Sequence, residues 1–195
     1  MRPYQAQPRA IFLDRDGTII EDRHYVGSVD EVALLPGARE GMQLLISVGI
    51  KLFLFTNQSG VGRGYFTMED VEAVNRRMLE LLGAEGDVFA GVCIAPERPD
   101  EPQIYRKPSP RFIKEMLTLH QISTTAAWMI GDSPSDWGAG INAGIRVAAI
   151  VPDSVADRHR DQRLRQGIEG YTSLQEFAVQ SIDRGSLGSR DNSIM

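Results

Sequence analysis

The chain of 195 residues has a single cysteine, Cys93, and three histidines. One thiol excludes an intramolecular disulfide framework and any zinc centre built from several thiolates. No apolar run approaches the ~20 residues that a membrane-spanning helix requires. The opening MRPYQAQPRA lacks the apolar core of a secretion signal, which assigns the chain to the cytoplasm. Positive charge is also in short supply: 21 Lys+Arg stand against 26 Asp+Glu, a net charge of −5, so a broad basic footprint for nucleic acid is missing. Residues 183–195 (DRGSLGSRDNSIM) are polar and carry no apolar periodicity, and read as a disordered tail.

What is present is alternation. Apolar runs fall at 9–14 (RAIFLD), 50–56 (IKLFLFT), 88–94 (VFAGVCI), 127–131 (AWMIG) and 145–151 (IRVAAIV). Runs apolar at successive positions suit strands buried on both faces of a parallel sheet. Helical patterns lie between them. Pro36-Gly37 opens one carrying Met42, Leu45 and Val48 on a common face. Thr67 and Asp70 form a capping box for the next, with Val71, Val74, Met78, Leu81 and Leu82 at helical spacing and Gly83 as the stop. Ser109-Pro110 supplies N-cap and first position of a third helix with Phe112 and Met116 inward. A fourth begins near Ser135, and Ser173 with Glu176 caps a last short one. This predicts one domain over residues 1–182, an α/β fold of three layers around a mostly parallel central sheet. In such folds ligands bind beyond the carboxyl ends of the strands.

Four of those ends carry chemistry. The first is Asp14-Arg15-Asp16-Gly17-Thr18, where two carboxylates spaced by two residues can face one crevice. The second is Thr56-Asn57-Gln58-Ser59-Gly60, with a hydroxyl and an amide suited to phosphate oxygens. The third run leads to Arg106-Lys107-Pro108, and the fourth ends in Gly131-Asp132 with Asp136 a helical turn further on. Taken singly, each has an ordinary explanation as a turn, a cap or a solvated loop. In order, at successive strand ends, they converge. Like charges ~4 Å apart repel by roughly 4 kcal/mol at an effective dielectric near 20. Asp14, Asp16, Asp132 and Asp136 in one crevice therefore call for a cation, and an all-oxygen ligand set suits Mg²⁺.

DRDGT (14–18), TNQSG (56–60), RKP (106–108) and GDSPSD (131–136) resemble the four motifs of the haloacid dehalogenase-like phosphatase superfamily, over about residues 9–150. The resemblance implies a Rossmann-like fold and hydrolysis of phosphate monoesters through a phospho-aspartate. Asp14 would be the nucleophile, and Asp16 the acid and then the base. Asp14, the backbone carbonyl of Asp16, and Asp132 would hold Mg²⁺, with Asp136 acting directly or through water and contacts to the ligands. Thr56, Asn57 and Lys107 would bind the transferring phosphoryl group.

Only residues 21–35 separate the first strand from its helix, and about a dozen residues follow the third strand, so no large cap domain fits. The short loops RHYV (23–26), LPG (35–37), TNQSGVGRGYFT (56–67) and YRKPSP (105–110) resemble one branch, the D-glycero-D-manno-heptose 1,7-bisphosphate 7-phosphatases. Histidinol-phosphate phosphatases share the four motifs. In this reading Arg63 and Arg106 reach a distal phosphate, although Arg63 equally suits a solvated loop. His24 and Tyr25 line the sugar site, or Tyr25 packs the loop against the domain. Two departures stand out. Members of the branch commonly carry a zinc loop of three cysteines and a histidine where this chain reads CIAPERPDEPQIYRKP, so no zinc is expected and Cys93 becomes a small buried hydrophobe. Ser133 replaces the lysine that often follows the fourth-motif aspartate. A polynucleotide 3′-phosphatase shares the FTNQSGVGRG and YRKP stretches, but the acidic charge counts against it. A receiver-type signalling domain also pairs carboxylates with Mg²⁺ and a lysine. It places its phosphorylated aspartate at the end of a middle strand, where this chain has Thr56 or Cys93, and the placement of Asp14 and Asp16 on one strand argues against it. The expected partner is a small phosphorylated sugar, with neither nucleic acid nor membrane, and the chain is expected to act as a monomer.

Overall fold

Each apolar run forms a strand in the computed structural model, which describes residues 7–84, 86–154 and 156–186. In chain order, β1 (Ala10–Leu13) leads to α1 (Ala38–Ser47), β2 (Lys51–Asn57), the single turn α2 (Ser59–Gly62) and α3 (Met68–Leu82). Then come β3 (Phe89–Ala95), α4 (Arg111–Leu119), β4 (Ala127–Gly131), α5 (Pro134–Ala143) and β5 (Arg146–Ile150). The last elements are α6 (Arg160–Arg165), β6 (Glu169–Tyr171) and α7 (Leu174–Ser186). The strands form one six-stranded sheet in the order β3-β2-β1-β4-β5-β6, and every pairing is parallel.

The pleat divides the core in two. Ile11 and Leu13 of β1 and Leu52 and Leu54 of β2 face α1, α3 and α7, where Met42, Leu45, Val74, Met78 and Phe177 meet them. Ala10, Phe12, Phe53 and Phe55 face the other way, onto Phe112, Ile113 and Leu117 of α4 and Ala139 and Ala143 of α5. Phe12 stacks on Phe53 at 4.6 Å between centroids, with the Phe112 ring edge-on to Phe12 at 5.9 Å. Alternating side chains thus give both faces of the sheet an apolar layer, which is the physical reason for three layers. Cys93 is buried in the second layer, as a small hydrophobe.

The helix starts follow their local chemistry. Thr67 caps α3 with the reciprocal Asp70 bonds of a capping box, and Gly83 closes it in the left-handed region at φ 64°. Ser173 Oγ accepts from Glu176 N at the start of α7. Five details differ from the expectations. The third helix begins one residue later, after Pro110 rather than at it. Val48 lies past the end of α1 and is exposed, and Leu81 is only half-buried. β3 alternates between buried and exposed positions, because it is the outermost strand and one side of it meets water. α7 continues through residues 183–186, which belong to a helix rather than to the tail, while 187–195 lie outside the described residues. Only a loop with a short 3₁₀ turn at Val29–Glu31 separates β1 from α1, in keeping with the absence of a cap domain.

Candidate active site

Register brings the motifs together. Leu13 lies opposite both Leu54 and Ile130, so Asp14 emerges beside the ends of β2 and β4. Asp14 N donates to Ile130 O at 2.9 Å, which ties the first motif to the fourth. Gly17 sits at φ 75°, where a Cβ would come within 2.3 Å of Asp132 Oδ2. Both the turn and the approach of Asp132 therefore require glycine at that position. Gly131 has the same role toward Asp136, with a would-be Cβ 2.3 Å from Asp136 Oδ2.

Lys107 is the hub. Its Nζ lies 2.7 Å from Asp14 Oδ1 and 2.6 Å from Asp136 Oδ1, and donates to Phe55 O at 2.8 Å. Asn57 holds the lysine by its backbone: Lys107 N donates to Asn57 Oδ1 at 2.9 Å, and Asn57 Nδ2 donates to Lys107 O at 3.2 Å. Asp136 is fully buried, and its other oxygen accepts from Ser133 N at 3.0 Å and Ser133 Oγ at 2.7 Å. It therefore orients Lys107 and starts α5 at once. Asp16 is clamped by Arg15, whose Nε donates to Asp16 Oδ2 at 3.1 Å, and by Gln58 Nε2 at 2.9 Å. Gln58 Nε2 also reaches Thr56 Oγ1 at 2.8 Å. Arg15 is itself fully buried and donates further to Asn75 Oδ1 and Val26 O.

These groups open on a cavity of about 650 Å³ lined by Asp14, Asp16, Asn57, Lys107, Asp132, Arg106, His24 and Tyr25, among others. Eight of the expected site residues thus share one cavity. Three do not line it. Thr56 lies beneath, its hydroxyl taken by Gln58. Asp136 lies behind Lys107. Arg63 is outside the lining, although its charge is felt by Arg106.

The electrostatics show a shortage of positive charge. Burial, and then the Asp136 carboxylate, raise the Asp14 carboxyl well above its ordinary range, although Lys107 opposes them. Burial followed by Asp136 and Asp22 pushes Asp132 up to about 7. Burial alone would lower the Lys107 ammonium, but Asp136 and Asp14 outweigh it and raise the value. One lysine does not satisfy this many carboxylates. Oxygens of Asp14, Asp132 and Asp136 lie within 4.8 Å of one another, an all-oxygen set that fits a hard divalent cation.

The profile of the haloacid dehalogenase-like hydrolases matches residues 14–150. The chain belongs to that family. A D-glycero-beta-D-manno-heptose-1,7-bisphosphate 7-phosphatase of Helicobacter pylori is 39% identical over 139 residues, 71% of this chain and 80% of that protein. A D-glycero-alpha-D-manno-heptose-1,7-bisphosphate 7-phosphatase of Burkholderia mallei is 31% identical over 157 residues, 77% and 83% of the two chains. The crystal structure of D,D-heptose 1,7-bisphosphate phosphatase from B. bronchiseptica, complexed with magnesium and phosphate, superposes with a TM-score of 0.76 at 27% identity, covering 90% of this chain and 98% of that one.

For a haloacid dehalogenase-like hydrolase, the unforeseen part of the site is the segment after β5. Val151, Pro152, Ser154, Asp157, Arg158 and His159 line the cavity. The signal was available: this segment follows a strand's carboxyl end, as the four motifs do, but it carries no recognisable spacing.

Proposed function

We propose that the protein is a phosphatase that removes the 7-phosphate of D-glycero-D-manno-heptose 1,7-bisphosphate, with Asp14 as nucleophile. The observation that carries this reading is the Asp14–Lys107–Asp136 constellation at the floor of an open, uncapped cavity, in a chain 39% identical to a protein of that activity. An Asp14 carboxylate oxygen forms a bond to phosphorus as the bond to the sugar oxygen breaks. Asp16 supplies the proton that the departing oxygen takes up. Asp16 then accepts a proton from the water that attacks the aspartyl phosphate, which frees inorganic phosphate and restores Asp14. Asp16 already lines the cavity, where Arg15 and Gln58 hold its carboxylate. Lys107 is pre-aligned against Asp14 and offsets the charge of the phosphoryl oxygens. Mg²⁺ held by Asp14, Asp132 and the Asp16 carbonyl would add a second positive charge there. The relatives include both anomeric specificities.

The decisive experiment is a turnover panel with Mg²⁺: both anomers of the heptose bisphosphate, histidinol phosphate and a 3′-phosphorylated oligonucleotide. We expect loss of the 7-phosphate alone, and ~100-fold preference over histidinol phosphate, worth about 2.8 kcal/mol in the transition state. A preference for histidinol phosphate or for the oligonucleotide refutes the reading. We further propose a cytoplasmic monomer, so sedimentation should return a mass near 21.6 kDa.

A further inference from the structure

A bisphosphate brings two phosphates into the cavity, and Lys107 is committed to the first. The second needs its own cation. Arg106 lines the cavity, with its guanidinium donating, among the described residues, only to the neutral carbonyl of Glu97, at 3.1 Å. Arg63 is outside the lining. The remaining arginine of the lining is Arg158, in the segment between β5 and α6.

Arg158 is exposed and makes no ion pair among the described residues, so its charge is available. Its neighbour Asp157 would cancel that charge if it were free, but Asp157 is already used. Asp157 Oδ2 accepts from Arg163 Nε at 3.0 Å, in a pair whose side chains are only 15% and 14% exposed. Asp157 Oδ1 accepts from His159 N at 3.2 Å, and Arg160 N donates to Asp157 O at 3.3 Å. The His159 ring meets the edge of the fully buried Trp137 at 6.2 Å. Arg163 in turn donates to Ile168 O at 3.1 Å. Asp157 and His159 are thus tied to α6 and α5 on either side of Arg158, whose own side chain lines the cavity and has no ion-pair partner among the described residues. The sheet order puts β5 next to β4, so this segment stands beside the loop that carries Asp132 and Ser133.

We propose that Arg158 is a specificity-determining residue, which with Arg106 binds the substrate's distal phosphate. Guanidinium forks suit phosphate oxygens, and a segment held by its own ion pair loses little freedom when the ligand arrives. The inference rests on the bisphosphate reading above and deepens it.

The test compares kcat/KM for heptose 1,7-bisphosphate with that for 4-nitrophenyl phosphate, which has one phosphate only. Wild type should favour the bisphosphate; no such preference overturns the proposed function and this inference with it. Given that preference, Arg158→Ala should lower the ratio about tenfold, equivalent to about 1.4 kcal/mol, mainly through KM for the bisphosphate. Arg158→Lys should recover part of it, and Arg158→Glu should fall below Arg158→Ala. A ratio that stays within twofold of wild type in Arg158→Ala and Arg158→Glu overturns the assignment of Arg158 while leaving the proposed function standing. So does an equal loss on both substrates, which would mark Arg158 as structural.

Discussion

Removing divalent metal should make this protein less stable as pH rises, in contrast to the usual behaviour of proteins whose carboxylates are paired. Asp132 has a folded-state value of about 7 against an ordinary 3.8, chiefly through burial and the neighbouring Asp136. A carboxyl raised in the folded state favours folding when protonated. Its contribution is complete below 3.8 and is lost as pH climbs through 7. That interval corresponds to about 4 kcal/mol, and the water that still reaches Asp132 reduces it to about 2 kcal/mol. Asp14 is raised too and adds in the same direction. For a chain of this length 2 kcal/mol is worth roughly 4–8 °C in Tm. Mg²⁺ reverses the sign, because a cation among the carboxylates favours their ionised forms and binds only when they are ionised.

The assay is a thermal melt at pH 5, 6, 7 and 8, in EDTA and in Mg²⁺. In EDTA the contribution of these carboxyls should lower Tm progressively above pH 5. The increment on adding Mg²⁺ should grow over the same range. Asp132→Asn removes the titrating group and should flatten both trends. An increment from Mg²⁺ that is equal at pH 5 and pH 8, or an Asp132→Asn protein that keeps the wild-type pH dependence, would refute the reasoning.

Asp14→Asn should abolish turnover while circular dichroism stays native, since the amide keeps the shape of the side chain but is not a nucleophile; substantial residual turnover counts against the mechanism. Arg15→Met should cost about 3 kcal/mol in denaturant melts and lower kcat more than it raises KM, because the buried guanidinium holds Asp16, Asn75 and Val26 together. Arg15→Lys should recover little of this, as one ammonium cannot span those acceptors; full recovery would reduce the role to charge alone. Gly17→Ala should be inactive and weak in Mg²⁺ titrations, since its Cβ would meet Asp132 Oδ2 at 2.3 Å in a left-handed backbone. Asn57→Ala should lower kcat through a displaced Lys107, and a variant with wild-type kcat would show that the two backbone bonds to Lys107 are dispensable.

The sheet was readable because burial on both faces leaves continuous apolar runs, and five of its six strands announced themselves this way. β6 did not: Glu-Gly-Tyr is too short and too polar to stand out, and it is a strand only because Ala148 to Ile150 of β5 offer it a partner. The four motifs were readable because their spacing to each strand end is fixed by the sheet itself. Roles within the site were harder. Thr56 and Asn57 have the right atoms for phosphate, but the structure gives the hydroxyl to Gln58 and the amide to the Lys107 backbone, and only three-dimensional contacts decide between such uses. Arg63 and Arg158 show the same limit from opposite sides. Both are exposed arginines in loops, and only loop geometry puts one in the cavity wall and leaves the other outside it.

The loop between β3 and α4 is organised by hydrogen bonds to two glutamates, Glu97 and Glu101. The resemblance read from the sequence implies that many members carry a loop of three cysteines and a histidine here, whereas Cys93 is the only cysteine of this chain. Its thiol is pushed up to about 12, first by burial and then by Glu97, which keeps it protonated at neutral pH. Glu97 gathers the loop instead: its carboxylate accepts from Tyr105 N at 3.0 Å, and its carbonyl accepts from the Arg106 guanidinium at 3.1 Å. Glu101 adds a bond from Arg98 N at 2.8 Å. The outcome for catalysis is the placement of Arg106 at the cavity wall, directly before the lysine that faces Asp14. Hydrogen bonds of this kind are individually worth about 1 kcal/mol, far less than a structural zinc. On the reading proposed above, the distal phosphate would meet two arginine-bearing segments: Arg106 on the loop after β3, tied to the Glu97 carbonyl, and Arg158 on a segment held by the partly buried Asp157–Arg163 pair.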